Sequence, residues 1–478
     1  MSIERQAAAG LKWAALSKTF AQAANWAITL IVVRLLLPEE YGLMAMSLAI
    51  IAVVAIASDL GLGASLVRVA QVDRSTLARM HGLVILLNLG AGLLLVALAP
   101  VAAWLLREPR LTFVIQVLAL QFGFAALSSV PQAIATRNMQ FKRLAWIEMC
   151  AGLATGLCTL ALAWLGAGIW ALVGGYVLGA ALNALLLCLG SYWVWPIFRF
   201  SGVKEHLRFG GAITASRMAW QFTSQLDVLI GGRVLGREAM GVYSVAVVIA
   251  SLPMQKIMSI VNQIAFPTVA RIQSDRARLQ RHLVDALRLI SFLGVPAAWG
   301  IATIAPEFVS LVLTDRWSAA TLPIQILCLI IPFRMLGSLL VTAAVASGSG
   351  ASEFRSALAA IIVLPPAFLV GVHWGATGLA WAWVIGIVVI YGFLMPRVAE
   401  LLGIPLRDIG RAIFPSVLAG AAMLVVVVIT RSLTLHLNLA AQLALLIGAG
   451  AVTYLLVVSA LDRSIWRDLG RVASVMRG

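Results

Sequence analysis

The side chains of this chain that could do chemistry are suited to binding rather than to bond-making: Lys18, Gln22 and Asn25, then Arg217, Gln221, Ser224 and Gln225. Lys18, Gln22 and Asn25 stand at i, i+4 and i+7, one face of a helix. Arg217, Gln221 and Ser224 repeat that spacing 199 residues later, counted from Ser17-Lys18 to Ser216-Arg217. The residues between them are largely apolar. A helix in lipid carries such a stripe only where the stripe faces protein or water. Snorkelling would account for Lys18 and Arg217 alone, but the amides are too short to snorkel. Amides suit hydroxyl groups and Arg or Lys suit an anion, so the stripe predicts a lining for a polar cavity. Two copies in register predict two halves meeting across that cavity, the layout of a transporter.

A second set of charges lies within apolar runs: Arg334, Lys256, Asp59 and Asp227. An ionised group at that depth costs about 2.5–3.5 kcal/mol on insertion scales, so each is expected to face the bundle interior with a partner. Under the 199-residue offset Asp59 falls nearly opposite Lys256, and the two are expected to pair. Arg217 and Arg334 then have at most one acid, Asp227, between them. A surplus of intramembrane cation calls for an anionic substrate. Arg34 with Glu39 and Arg233 with Glu238 are expected as loop-closing ion pairs near the outer helix ends. Pro253 is the expected hinge among the prolines inside helices.

The elements that must position these residues are membrane helices. Of 478 residues 62% are hydrophobic and 11% charged, against roughly 25% charged in a soluble domain. Runs of about 20 apolar residues predict about fourteen transmembrane helices, near 12–37, 42–66, 82–106, 111–134, 147–166, 169–190, 211–233, 240–264, 286–313, 323–347, 355–374, 377–399, 411–430 and 439–461. Threaded alternately, about 25 Lys and Arg collect on one side and about 6 on the other, which predicts cytoplasmic termini. The net charge of +16 therefore encodes topology and follows no nucleic-acid-binding motif. The basic stretch Val269–Leu287, with Ile272, Leu279 and Leu283 interleaved, suits either a helix lying on the inner leaflet or an ordinary positive-inside loop. Four cysteines in apolar stretches and five scattered histidines have no metal-ligand spacing, and no phosphate-cradling glycine loop is present. The sequence predicts neither an enzyme nor a cofactor or metal site.

The repeat extends past its first helix. The turn Trp164-Leu-Gly-Ala-Gly-Ile-Trp170 has a partner in His373-Trp-Gly-Ala-Thr-Gly-Leu-Ala-Trp381. Each repeat unit thus holds six helices, which predicts two six-helix lobes, 1–200 and 201–400, related along the membrane normal. Helices thirteen and fourteen and a basic tail, 401–478, stand outside the repeat as an appendix.

Three strings carry a family resemblance: Asp227-Val-Leu-Ile-Gly-Gly-Arg-Val-Leu-Gly236-Arg-Glu-Ala-Met-Gly241-Val-Tyr243-Ser-Val-Ala246 with Pro267-Thr-Val-Ala-Arg271, Arg34-Leu-Leu-Leu-Pro38-Glu39-Glu-Tyr41-Gly42, and Arg137-Asn-Met-Gln-Phe141-Lys142-Arg143. They resemble Wzx-type polysaccharide flippases of the multidrug/oligosaccharidyl-lipid/polysaccharide superfamily, nearest the colanic acid, amylovoran, succinoglycan and xanthan exporters, over about residues 10–400. The resemblance implies alternating-access export of oligosaccharide repeat units on an undecaprenyl-diphosphate carrier across the bacterial inner membrane. It implies a polysaccharide polymerase and export machinery as partners. A cation-coupled drug antiporter of the same superfamily would hold an acidic cluster in one lobe, whereas Asp59 and Asp227 lie in different halves. A membrane glycosyltransferase or polymerase would carry a sizeable extramembrane loop, and no predicted outer loop exceeds about ten residues. The sugar, the coupling ion (H+ or Na+) and the oligomeric state stay open.

Overall fold

Backbone N–H and C=O groups in lipid must be satisfied within their own segment, and these apolar runs do so as helices. The computed structural model describes residues 25–59, 74–189, 194–198, 204–272, 275–347, 350–462 and 465, with backbone alone at 56–59, 74, 204–220, 259–260, 262–272, 276 and 350–354. The helices are α1 (Asn25–Leu35), α2 (Pro38–Asp59), α3 (Arg74–Leu105), α4 (Leu111–Leu118), α5 (Leu120–Arg137), α6 (Phe141–Trp164) and α7 (Ile169–Cys188). They continue as α8 (Lys204–Ile272), α9 (Arg276–Phe308), α10 (Thr321–Ala346), α11 (Gly350–Gly371), α12 (Gly375–Leu402), α13 (Leu406–Leu433) and α14 (Leu439–Leu461). No strand occurs among the described residues. Eleven helical stretches among them are long and apolar enough to cross a membrane. The chain is an all-α polytopic membrane protein. The difference from fourteen has a simple origin. Two of the eleven stretches each hold two expected helices, 211–233 with 240–264 broken at Gly236 and 355–374 with 377–399 turning at Gly375, and Asn25–Leu35 falls below spanning length.

Local chemistry sets the ends. Pro38 opens α2 with Glu39 and Glu40 in its first turn, where the missing N–H costs nothing and acid favours the dipole. Asn438 caps α14 by accepting from Ala441 N at 2.8 Å, and Asp275 caps α9 by accepting from Arg278 N at 3.0 Å. The two matched hairpins turn on glycines at positive φ: Gly166 and Gly168 between α6 and α7, and Gly375 between α11 and α12.

The described residues fall into two compact units, 1–241 and 242–478. In the first, Leu43, Met46, Leu95, Ile115, Leu118 and Phe122 form the main core. The first stretch of α8 belongs here, because Val228 and Leu229 pack on that core and Gly232 lies against the Met46 side chain. The boundary between the compact units falls after Gly241. Thr155 and Thr159 return their hydroxyls to Ala151 O and Thr155 O, so α6 can lie close on Gly175 and Gly179 of α7.

In the second unit α9 is the central packing element. Leu279, Leu283, Leu287 and Ile290 repeat at three or four residues and are buried, while Arg281 and His282 are exposed. Of the stretch 269–287, read as either an inner-leaflet helix or a positive-inside loop, the leucines from Arg276 on are the core-facing stripe of α9. The C-terminal pair packs in this unit as well. Ala412, Ala419, Met423 and Val427 of α13 and Leu446, Tyr454 and Val458 of α14 sit in the same core. Arg431 grips Glu307 through Nε at 2.5 Å and Nη2 at 2.9 Å, and it also donates to Thr303 O. Arg288 meets Asp462 at 3.2 Å, and Tyr454 donates to Phe292 O at 2.9 Å.

Candidate functional site

The polar stripe is described only in part. Lys18 and Gln22 lie outside the described residues, and of Arg217 only the backbone is described. Asn25 is half-buried, and its Oδ1 lies where a side chain at Gly156 of α6 would have to go, so this amide packs into a helix contact. On α8, Gln221, Ser224 and Gln225 are half-buried on one face, while Thr223 and Asp227 are buried on the opposite one. The Asp227 carboxylate accepts from Val228 N at 2.8 Å. Asp227 thus belongs to the packed face of α8 and not to the stripe.

Arg334 is half-buried on α10, and its guanidinium carbon stands 4.8 Å from the centre of the Trp383 ring on α12. Tyr391 of α12 donates to Arg334 O at 3.4 Å, and Gly337 leaves the space the tyrosine ring fills. The ring quadrupole of Trp383 faces the cation. The in-plane N–H edge of a guanidinium is the geometry that suits a phosphate. Sequence reasoning missed Trp383 and Tyr391. The signal was present as two large aromatics in α12, eight residues apart and so close to one face.

Lys256 is on the exposed surface of α8, and the Asp59 side chain lies outside the described residues, as does any pair between them. Pro253 is buried in continuous helix, and the non-helical residue inside α8 is Gly236, at φ 79° and ψ −177°. Only glycine takes that conformation at little cost.

Gly236 sits in a polar cluster of the first unit. The Arg237 guanidinium reaches Glu39 Oε2 at 2.7 Å through Nε and Glu108 Oε2 at 2.9 Å through Nη1. Arg233 Nη1 donates to Leu105 O at 2.6 Å, closing the C-terminus of α3. Glu40 accepts from Leu37 N at 2.8 Å. Glu39 holds Arg237, Arg233 holds backbone carbonyls, and Glu238 is exposed. Beneath them a side chain at Gly42 would strike Arg237 O, and one at Gly241 would strike Pro38 O. Pro38 and Arg237 are 199 residues apart, as are Gly42 and Gly241. The contact is reciprocal.

Nothing in this arrangement forms or breaks bonds. Its cations are placed by aromatic rings, carboxylates and carbonyls, and its amides are half-buried along α8; such groups can hold and pass on an anionic, hydroxylated ligand. WzxC of Escherichia coli K12, a lipopolysaccharide biosynthesis protein, is 25% identical over 382 residues, covering 78% of this chain and 76% of WzxC. TuaB of Bacillus subtilis 168, a teichuronic acid biosynthesis protein, is 26% identical over 410 residues, covering 83% of each. The solved structure of the lipid II flippase MurJ in an inward closed conformation superimposes with a TM-score of 0.78, over 94% of this chain and 99% of MurJ, at 15% identity. That likeness shows the fold. The family model described as polysaccharide biosynthesis protein matches residues 31–322, more than half of the sequence, and the chain belongs to that family.

Proposed function

We infer that the protein is a carrier that moves lipid-linked oligosaccharide repeat units across the bacterial inner membrane. The observation behind this reading is that one chain joins membership of a polysaccharide biosynthesis family to an all-helical membrane fold shared nearly end to end with a lipid II flippase.

In this reading the substrate is an undecaprenyl diphosphate, its tail staying in lipid while head and sugars follow the polar side chains. Arg334 offers its in-plane edge to the diphosphate, and Arg217 offers a second cation. Gln221, Ser224 and Gln225, with Lys18, Gln22 and Asn25 of the matched stripe, offer hydrogen bonds to sugar hydroxyls. Both termini are placed in the cytoplasm, on the uneven division of Lys and Arg between the two sides.

The experiment is loss of the protein. Polymer should disappear from the cell surface while tolerance of cationic drugs is unchanged. Unaltered polymer with lost drug tolerance would establish the antiporter instead.

A further inference from the structure

A recess of about 600 Å³ opens in the first unit where α3 ends, lined by Pro100, Trp104, Arg107, Pro109, Thr112 and Arg233 among others. We propose that this recess is a resident site for the phosphate of an anionic bilayer phospholipid.

Charge comes first. Two guanidiniums, Arg107 and Arg233, line the recess, and no carboxylate does. The acid nearest in sequence, Glu108, is engaged by Arg237 at 2.9 Å. Arg233 is held ready by Leu105 O at 2.6 Å and Trp104 O at 3.4 Å, so its position does not depend on a ligand. Arg107 is exposed and adopts φ 55°, a left-handed conformation that a non-glycine residue rarely takes. Thr112 adds a hydroxyl to the lining. Two arginines and a hydroxyl without a neighbouring acid suit the oxygens of a phosphodiester.

The surroundings identify that phosphate as a lipid's. Leu93, Ala97, Pro100 and Trp104 follow one another at three- or four-residue steps along α3 and are all exposed. Trp104 is 74% exposed and Phe113 68%. This apolar stripe leads from the recess down the helix, as a track for acyl chains leads from a headgroup. Tryptophan at the rim is at home at the membrane–water boundary. An amine-bearing headgroup would bring a third cation beside two arginines, so the occupant is a phospholipid without an amine, of the phosphatidylglycerol class.

The test is native mass spectrometry of the purified full chain titrated with phosphatidylglycerol, phosphatidylethanolamine or undecaprenyl phosphate. Wild-type protein should retain one phosphatidylglycerol per chain in preference to phosphatidylethanolamine. Arg107→Gln, in an exposed turn and therefore expected to fold, should weaken that binding about tenfold, the usual loss with a charge-assisted contact. Arg316→Gln, on an exposed turn elsewhere, should leave it unchanged. Equal retention by wild type and Arg107→Gln overturns the site. Displacement of phosphatidylglycerol by equimolar undecaprenyl phosphate overturns the choice of occupant.

Discussion

Alanine at either Gly42 or Gly241 should destabilise the protein by about 1–3 kcal/mol, the usual cost of overpacking, and leucine at either should prevent its accumulation. The added Cβ meets a backbone carbonyl, Arg237 O in one case and Pro38 O in the other, and a carbonyl within a helix cannot turn aside as a side chain can. The helices must separate, which also stretches the Arg237 contacts to Glu39 and Glu108. Because both substitutions are relieved by the same separation, the double alanine variant should cost less than the sum of the two. Gly90→Ala is the control, since nothing lies within 4 Å of a Cβ built there. Thermal midpoints and membrane levels of the four variants are the measurement. Wild-type stability of Gly42→Ala and Gly241→Ala would show that the close crossing does not exist in the membrane.

The second large effect is expected at Arg334. Arg334→Ala should lower polymer export about ten- to a hundredfold with the protein still present in the membrane, since a hydrogen bond to a charged group is worth about 1.5–3 kcal/mol. Lysine should retain part of the activity, because it keeps the charge and loses the planar edge that fits phosphate. Glutamate should be worse than alanine, as it would repel the diphosphate and lose the Trp383 ring contact. Trp383→Leu should reduce export less than Arg334→Ala does, because the cation remains and only its placement suffers. Full export by a stably expressed Arg217→Glu/Arg334→Glu double variant would contradict a cationic route for the substrate.

Much of the fold was legible because the signals are local. A run of apolar residues satisfies its own backbone, and Gly166, Gly168 and Gly375 mark hairpins by their positive φ. What spacing along the chain could not supply was partnership between distant segments. Glu39 was matched with Arg34, five residues away, although its partner Arg237 lies 198 residues on. The repeat was visible as an offset, but its meaning appears only when Gly42 and Gly241 are seen against each other's helix. Arg334 was expected to lack its own acid and to meet an anionic substrate, and the Trp383 ring beside it was not foreseen. Pro253 was chosen as hinge because it is a helix proline in the signature segment. A proline whose lost hydrogen bond is tolerated leaves a helix continuous, whereas Gly236 takes a backbone conformation no other residue adopts cheaply. The Lys18–Gln22 part of the stripe lies outside the described residues and stands on its spacing.

The central claim is movement of a lipid-linked oligosaccharide from one leaflet to the other, and the most direct measurement is the leaflet in which those intermediates reside. In cells lacking the protein, lipid-linked repeat units should accumulate on the cytoplasmic leaflet, protected from a membrane-impermeant glycan-modifying reagent added outside. Restoring the wild-type chain should expose them to it, and restoring the Arg334→Glu chain should not. Equal exposure of the intermediates with and without the protein would contradict the account.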